Sequence, residues 1–141
     1  MIILDTNVVS EPLRPRPDRH VLEWLNRQAS ATLYLTTINI AELCAGVEVL
    51  PTGKRRTQLY NAIANEVLPL FEGRVLTFDP DAAVGFARVF SKAQAAGNPM
   101  DFADCAIAAI AMTHRFIVAT RNSKDFKGSG VELLDPWEAA D

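Results

Sequence analysis

The chain has 141 residues, about half of them apolar, with 14 basic and 17 acidic residues and a net charge of −3. That length suits one domain over residues 1–141, and the acidic balance excludes a global basic footprint for nucleic acid, so any such binding must use a local patch. Only Met1 to Leu4 precede Asp5 as an apolar start and no apolar run nears the length of a membrane span, so a soluble cytoplasmic protein with no membrane partner is expected.

"MIILDTN" opens with a strand, Ile2 to Leu4, that runs directly into Asp5, Thr6 and Asn7 and turns at once. "EPLRPRPDR" is proline-rich and predicts a loop. A helix is expected over Asp18 to Gln28, with Val21, Leu22 and Leu25 on one face. "TLYLTT" is rich in β-branched and aromatic residues and predicts strand two. "NIAELCAGVEVL" carries Ile40, Leu43, Val47 and Leu50 at helical spacing until Pro51 and Gly53 break it. "KRRTQLYNAIANEVLPLF" predicts a helix with Leu59, Ile63 and Val67 in register, and "RVLTF" predicts strand three. The next helix starts at Pro80 and stops at Gly97, with Phe86, Val89, Phe90 and Ala93 on its apolar face. "NPMDFADCAIAAIAMTH" predicts another helix, with Asn98 as cap and Pro99 first. "FIVAT" is strand four and "VELLD" a short last strand before "PWEAA". Cys44 and Cys105 are too few and too far apart for a disulfide scaffold or a zinc site, and both are expected to be buried as small hydrophobes.

Strands alternate with helices throughout. The pattern predicts an α/β fold with a parallel sheet covered on both faces, and sites in such sheets form beyond the carboxyl ends of the strands. Asp5 follows strand one, Glu42 lies early in the helix after strand two, Asp104 lies early in the helix before strand four, and Asn122 and Asp125 follow strand four. If strands one, two and four are neighbours, these groups converge.

Each acid also has a plainer explanation. Asp5 could make an Asx-turn. Glu42 stands three residues after Asn39, the spacing of a capping box. Asp104 could be a favourable charge near a helix N-terminus. Asp125 could be a loop residue without a role. Their joint placement argues otherwise, and "DCAIAAIA" is so apolar that Asp104 needs a partner. Carboxylates at ~4 Å repel by about 4 kcal/mol at an effective dielectric near ~20. A divalent cation removes that penalty, and oxygen ligands without a His or Cys cluster favour Mg²⁺ or Mn²⁺. Such an ion suits phosphate chemistry.

"IILDTNVVSEPL", "TTINIAELCAGV", "DCAIAAIA" and "ATRNSKDF" resemble, in order and spacing, the four blocks of a PIN domain. The likeness covers essentially the whole chain and is nearest to the VapC toxins of bacterial toxin–antitoxin pairs, in their FitB-like branch. The resemblance implies a PIN-like three-layer α/β/α sandwich with a central, mostly parallel sheet. It implies a Mg²⁺- or Mn²⁺-dependent ribonuclease, usually homodimeric, held inactive by a small VapB-like antitoxin in a heterotetramer or larger assembly. By that resemblance Asp5 and Asp104 are metal ligands, Glu42 completes the acidic triad directly or through water, and Asn7 supports the site as a neutral polar group. FitB-like members carry an Asp where this chain has Asn122, so either Asn122 or the nearby Asp125 fills the fourth position. Glu42 or Asp125 would orient or deprotonate the attacking water.

RNA would need a basic patch, for which Lys54, Arg55 and Arg56 of "GKRR", with Arg14, Arg16, Arg19 and Arg121, are candidates. Solvated surface charge explains the "KRR" run as well, whereas Arg121 beside the acidic loop is suited to a phosphate or to a structural pairing. An antitoxin segment is expected in a groove between "VLEWL" and "NIAELCAGVEVL". Three other functions fit parts of the pattern. A phosphohydrolase with a nucleophilic Asp after strand one usually has a second Asp two residues on, where this chain has Asn7. A response-regulator-like module finds Asp79 after strand three but lacks the Lys after a later strand, since "FIVAT" leads into Arg121. A catalytically weak PIN-fold partner that only tunes its antitoxin's DNA binding needs no change in the fold.

Overall fold

The computed structural model describes residues 1–138, so the end of the expected domain, Ala139 to Asp141, lies outside the described residues. Five short strands, β1 (Ile2–Leu4), β2 (Leu33–Thr36), β3 (Val75–Leu76), β4 (Ile117–Ala119) and β5 (Leu133–Leu134), form one parallel sheet in the order β3-β2-β1-β4-β5. The helices are α1 (Thr6–Ser10), α2 (Arg19–Arg27), α3 (Thr37–Glu48), α4 (Lys54–Ala62), α5 (Leu68–Leu70), α6 (Pro80–Ala95) and α7 (Phe102–His114).

Side chains alternate across a strand, and this splits the core into two layers. Ile3 and Val118 face α6 and α7, where they meet Val89, Ile107 and Ile110. Leu4, Leu33, Leu35 and Ala119 face the other way, onto Val8, Trp24, Leu43 and Val47. The result is an α/β/α sandwich, the arrangement a parallel sheet requires to bury both faces.

β1 pairs with β2 on one side and β4 on the other. The chain builds outward from β1 to β3, then returns past β1 to place β4. The β1/β4 boundary is therefore the topological switch point, where a crevice opens beyond the carboxyl ends of the strands. Register carries side chains into it. Ile3 opposes Val118 and Tyr34. Two residues further on, the same face presents Asp5, flanked by Thr120 and Thr36, towards the layer that contains α7.

Several local expectations change. The residues after Asp5 form the short helix α1, because the Asp5 side chain accepts the Thr6 N–H and caps it. α7 starts at Phe102 with Asp101 as N-cap, in place of Asn98 and Pro99. The Asp101 side chain takes the Asp104 N–H at 2.8 Å. Asn98 closes the end of α6 instead: its N–H bonds the Ala93 carbonyl, Gly97 (φ 74°) bonds Gln94, and the left-handed turn at Gly97 ends the helix. The expected helix over residues 54–71 is interrupted by a π-helical turn, Ile63–Val67. Pro69 lies just beyond it and cannot donate to the Asn65 carbonyl. Cys105 is buried but Cys44 is exposed, since it lies beside Leu43 on the outer side of α3. Trp24 joins Val21 in the buried face of α2, and Phe90 is largely exposed.

Candidate active site

Asp5 is buried and both of its oxygens are held. Oδ1 accepts the Thr6 backbone N–H and Oδ2 accepts the Thr120 hydroxyl, each at 2.8 Å. The Asn122 N–H donates in turn to Thr120 Oγ1 at 3.1 Å, which ties the loop after β4 to the same point. Asn7 Oδ1 accepts the Arg121 backbone N–H at 3.3 Å and links α1 to that loop. The Arg121 guanidinium lies over the Trp137 ring, 5.0 Å from its centroid.

Glu42 projects from the outer side of α3. Its Oε1 accepts the Thr6 hydroxyl at 2.7 Å. The capping box anticipated with Glu42 is formed instead by Thr36 and Asn39, because the helix starts at Thr37, earlier than expected. Asn39 Oδ1 accepts both the Thr36 N–H (2.8 Å) and the Thr36 hydroxyl (2.7 Å), while Asn39 Nδ2 donates to Thr6 Oγ1 at 3.1 Å. Glu42 is thus relieved of a capping duty. Asp125 ends the exposed 3₁₀ turn Ser123–Asp125 that follows β4.

These acids act on one another electrostatically. Burial pushes the Asp104 carboxyl up to about 7, and the charges of Asp101, Asp5, Asp125 and Glu42 add to the rise. Burial also lifts Asp5, opposed by the bonds from Thr120 and Thr6 and reinforced by Glu42 and Asp101. The charges that raise Asp104 are all carboxylates. The donors are hard oxygens, which fit a Mg²⁺- or Mn²⁺-like cation. Among the described residues no three Asp, Glu, His or Cys side chains form a ready-made ligand cage. The set suits a cation held by one or two carboxylates that keeps much of its own water, the usual habit of Mg²⁺.

The sequence profile of the PIN domain matches residues 2–128. The chain belongs to the PIN-domain family. The plasmid stability protein StbB of Pseudomonas syringae pv. tomato is 47% identical to this PIN-domain chain over 139 residues, 99% of this chain and 100% of that protein. The VapC ribonuclease Y4jK of Sinorhizobium fredii is 46% identical over 140 residues, again 99% of this chain and 100% of the relative. Toxin FitB of Neisseria gonorrhoeae is 42% identical over 97% of this chain and 99% of its own length. The solved structure of FitAB bound to a DNA fragment superimposes with a TM-score of 0.95 at 40% identity, covering 100% of this chain and 99% of that one.

The basic residues anticipated for RNA are mostly engaged within this PIN domain. Arg14 pairs with Glu11, Arg19 with Glu23 and Arg56 with Glu48, and Arg55 donates to the Leu13 carbonyl. The uncharged framework of Thr6, Thr36, Asn39 and Thr120 was missed in the sequence. Its signal was the placement of each polar residue at or just after the end of a strand, which alone reads as turn chemistry.

Proposed function

We propose that this PIN-domain chain is the toxin of a toxin–antitoxin pair, a divalent-cation-dependent endoribonuclease that hydrolyses RNA phosphodiester bonds and is neutralised by a cognate antitoxin. The observation that supports this reading is Asp5, held by Thr6 and Thr120 at the switch point, with the charges of Asp101, Asp5, Asp125 and Glu42 all raising the carboxyl of Asp104. Like charges gathered in a cleft are costly unless a cation joins them. Near-full-length similarity to a VapC ribonuclease and to toxin FitB supports the same reading.

Asp5 and Asp104 would hold a Mg²⁺ or Mn²⁺ ion. When bound, such an ion supplies an acidified water and charge stabilisation on the phosphoryl group. Asp5 is aimed in advance by Thr6 and Thr120, so little reorganisation is needed. Glu42 keeps Oε2 for the attacking water and takes its proton. Asp125, on its exposed turn, is the second acid within reach. Asn7 and the Asn122 N–H keep the loop after β4 against α1. Arg121, over the Trp137 ring, would meet a phosphate oxygen with its N–H donors.

The antitoxin would occupy a cavity of about 270 Å³ bounded by Leu13, Arg14, α3 and α4, with Glu42 at one end. This differs from the groove anticipated between α2 and α3, because α2 turns Val21 and Trp24 inward and the cavity that its Leu25 lines faces Leu4, Leu33 and Phe71, not α3. Leu13, Leu43, Val47, Leu59 and Ile63 would receive apolar side chains, and a basic side chain would reach Glu42. The assembly would be built on a homodimer.

Sequencing RNA 5′ ends after induction without antitoxin, beside an Asp5→Asn control, tests the proposal. New ends specific to the unsubstituted chain are expected. Their absence, with a DNA-binding partner still co-purifying, would favour a chain that only tunes its antitoxin.

A further inference from the structure

We propose that Asn39, acting through the Thr6 hydroxyl, is a positioning residue for Glu42. The inference rests on the reading of Glu42 as an acid of the nuclease site.

The direction of each bond in the relay is fixed by chemistry. The Thr36 backbone N–H can only donate, so the Asn39 atom that meets it at 2.8 Å must be the carbonyl oxygen. The amide nitrogen of Asn39 is then the atom facing Thr6 Oγ1 at 3.1 Å. A hydroxyl has one proton. With a lone pair of Thr6 Oγ1 engaged by the Asn39 amide, that proton is directed to Glu42 Oε1, 2.7 Å away. Glu42 Oε1 is therefore held as an acceptor.

Burial makes the relay stiff. Thr36 and Asn39 are each 0% exposed, so the Asn39 amide cannot turn over without stranding the Thr36 N–H away from water. The relay also joins three elements, β2, α3 and α1, at the one place where Glu42 must be aimed. A glutamate on the outer side of a helix otherwise has three rotatable bonds. Helix capping explains the bonds between Thr36 and Asn39, but not the bond from Asn39 to Thr6 or the one from Thr6 to Glu42, which cross 33 and 36 residues of sequence.

Three variants test this. Thr6→Val keeps the side-chain shape and removes the hydroxyl. Thr6→Ser keeps the hydroxyl. Asn39→Asp keeps the acceptor that Thr36 needs but removes the donor to Thr6, so the Thr6 proton can turn to residue 39 and away from Glu42. RNA cleavage with Mn²⁺ is expected to lose about 10–100-fold in kcat in Thr6→Val and Asn39→Asp, the range typical for residues that orient a ligand or base. KM and Mn²⁺ affinity should change little, and Thr6→Ser should recover most of kcat. The second readout needs no catalysis: the ¹³C shift of the Glu42 carboxyl should move in Thr6→Val and stay near the unsubstituted value in Thr6→Ser. If Asn39→Asp fails to fold, the Thr6 pair still decides. A folded Thr6→Val protein with full kcat, or an unmoved Glu42 carboxyl shift, would overturn the relay. A moved shift in a chain that never cleaves RNA would instead retain the relay and reject the nuclease reading.

Discussion

The Thr120 hydroxyl donates to Asp5 Oδ2 at 2.8 Å across 115 residues of chain. The pair extends the register of Leu4 with Ala119 by one step. A strand pairing thereby becomes the support of a buried carboxylate.

Thr120→Val should therefore expose how much the support contributes. It leaves Asp5 Oδ2 buried with no donor, which costs about 1–3 kcal/mol. The metal-free protein should unfold at lower urea, and Mn²⁺ should bind more weakly. Unchanged values in both titrations would mean that a water replaces the hydroxyl fully.

Asp101 and Asp104 lie three residues apart but should respond in opposite ways. Asp101 caps α7, so Asp101→Ala should lower stability by about 0.5–2 kcal/mol while Mn²⁺ still binds. Asp104→Asn removes a charge crowded by other carboxylates. It should stabilise the metal-free protein and abolish both Mn²⁺ binding and cleavage. Mn²⁺ titration followed by calorimetry separates the two, and retained binding in Asp104→Asn would reverse the assignment.

The pH dependence of stability follows from Asp104. Its carboxyl titrates near 3.8 when unperturbed and near 7 in the fold. As pH rises through this window the unfolded chain loses its proton first, so the folded state binds more protons and stability falls. The contribution is fully present below about 3.8 and gone above about 7. Asp5, also raised, acts in the same direction. Thermal melts of EDTA-treated protein should show this decline between about pH 4 and pH 7 as a slope that Asp104→Asn flattens. Excess Mn²⁺ should flatten it too. An identical slope in the Asp104→Asn protein would mean that other groups set it.

Asn98 offers a test of the loop that carries Asp125. Its amide nitrogen donates to the carbonyl of Lys124, at 2.9 Å, and to that of Lys127, on both sides of Asp125. Asn98→Ala should cost about 0.5–1.5 kcal/mol. It should speed amide exchange over residues 122–128 and slow cleavage without altering Mn²⁺ affinity. Unaltered exchange in that segment would remove Asn98 from any role in holding Asp125.

Much of the frame was legible in the chain because it depends on period and punctuation. "MIIL", "LYLT" and "FIVA" are short β-branched and apolar runs, and the alternation of strands and helices predicts a parallel sheet. The order of the strands was only a condition in the sequence, and the sheet meets it by placing β1 between β2 and β4. The supports were not legible. Thr36, Asn39 and Thr120 bond across elements, and a threonine at a strand end looks the same whether it faces water or a buried acid. The start of α7 was misplaced because Asn98-Pro99 and Asp101 both carry capping chemistry, and the competing bonds of Asn98 are made to a loop some 26 residues later. Cys44 was misread because burial on α3 depends on which side the sheet covers, and apolar spacing alone places that side only to within a neighbour.

The return of the chain past β1 has a consequence for synthesis. Asp5 is synthesised 115 residues before Thr120, which holds it, and Asp125 follows later still. The early strands can pair with each other, but the crevice has only one wall until β4 inserts. Contacts of such long sequence separation form late. A nascent chain would therefore carry Asp5 without its support until β4 has been made, and the cleft would close only then.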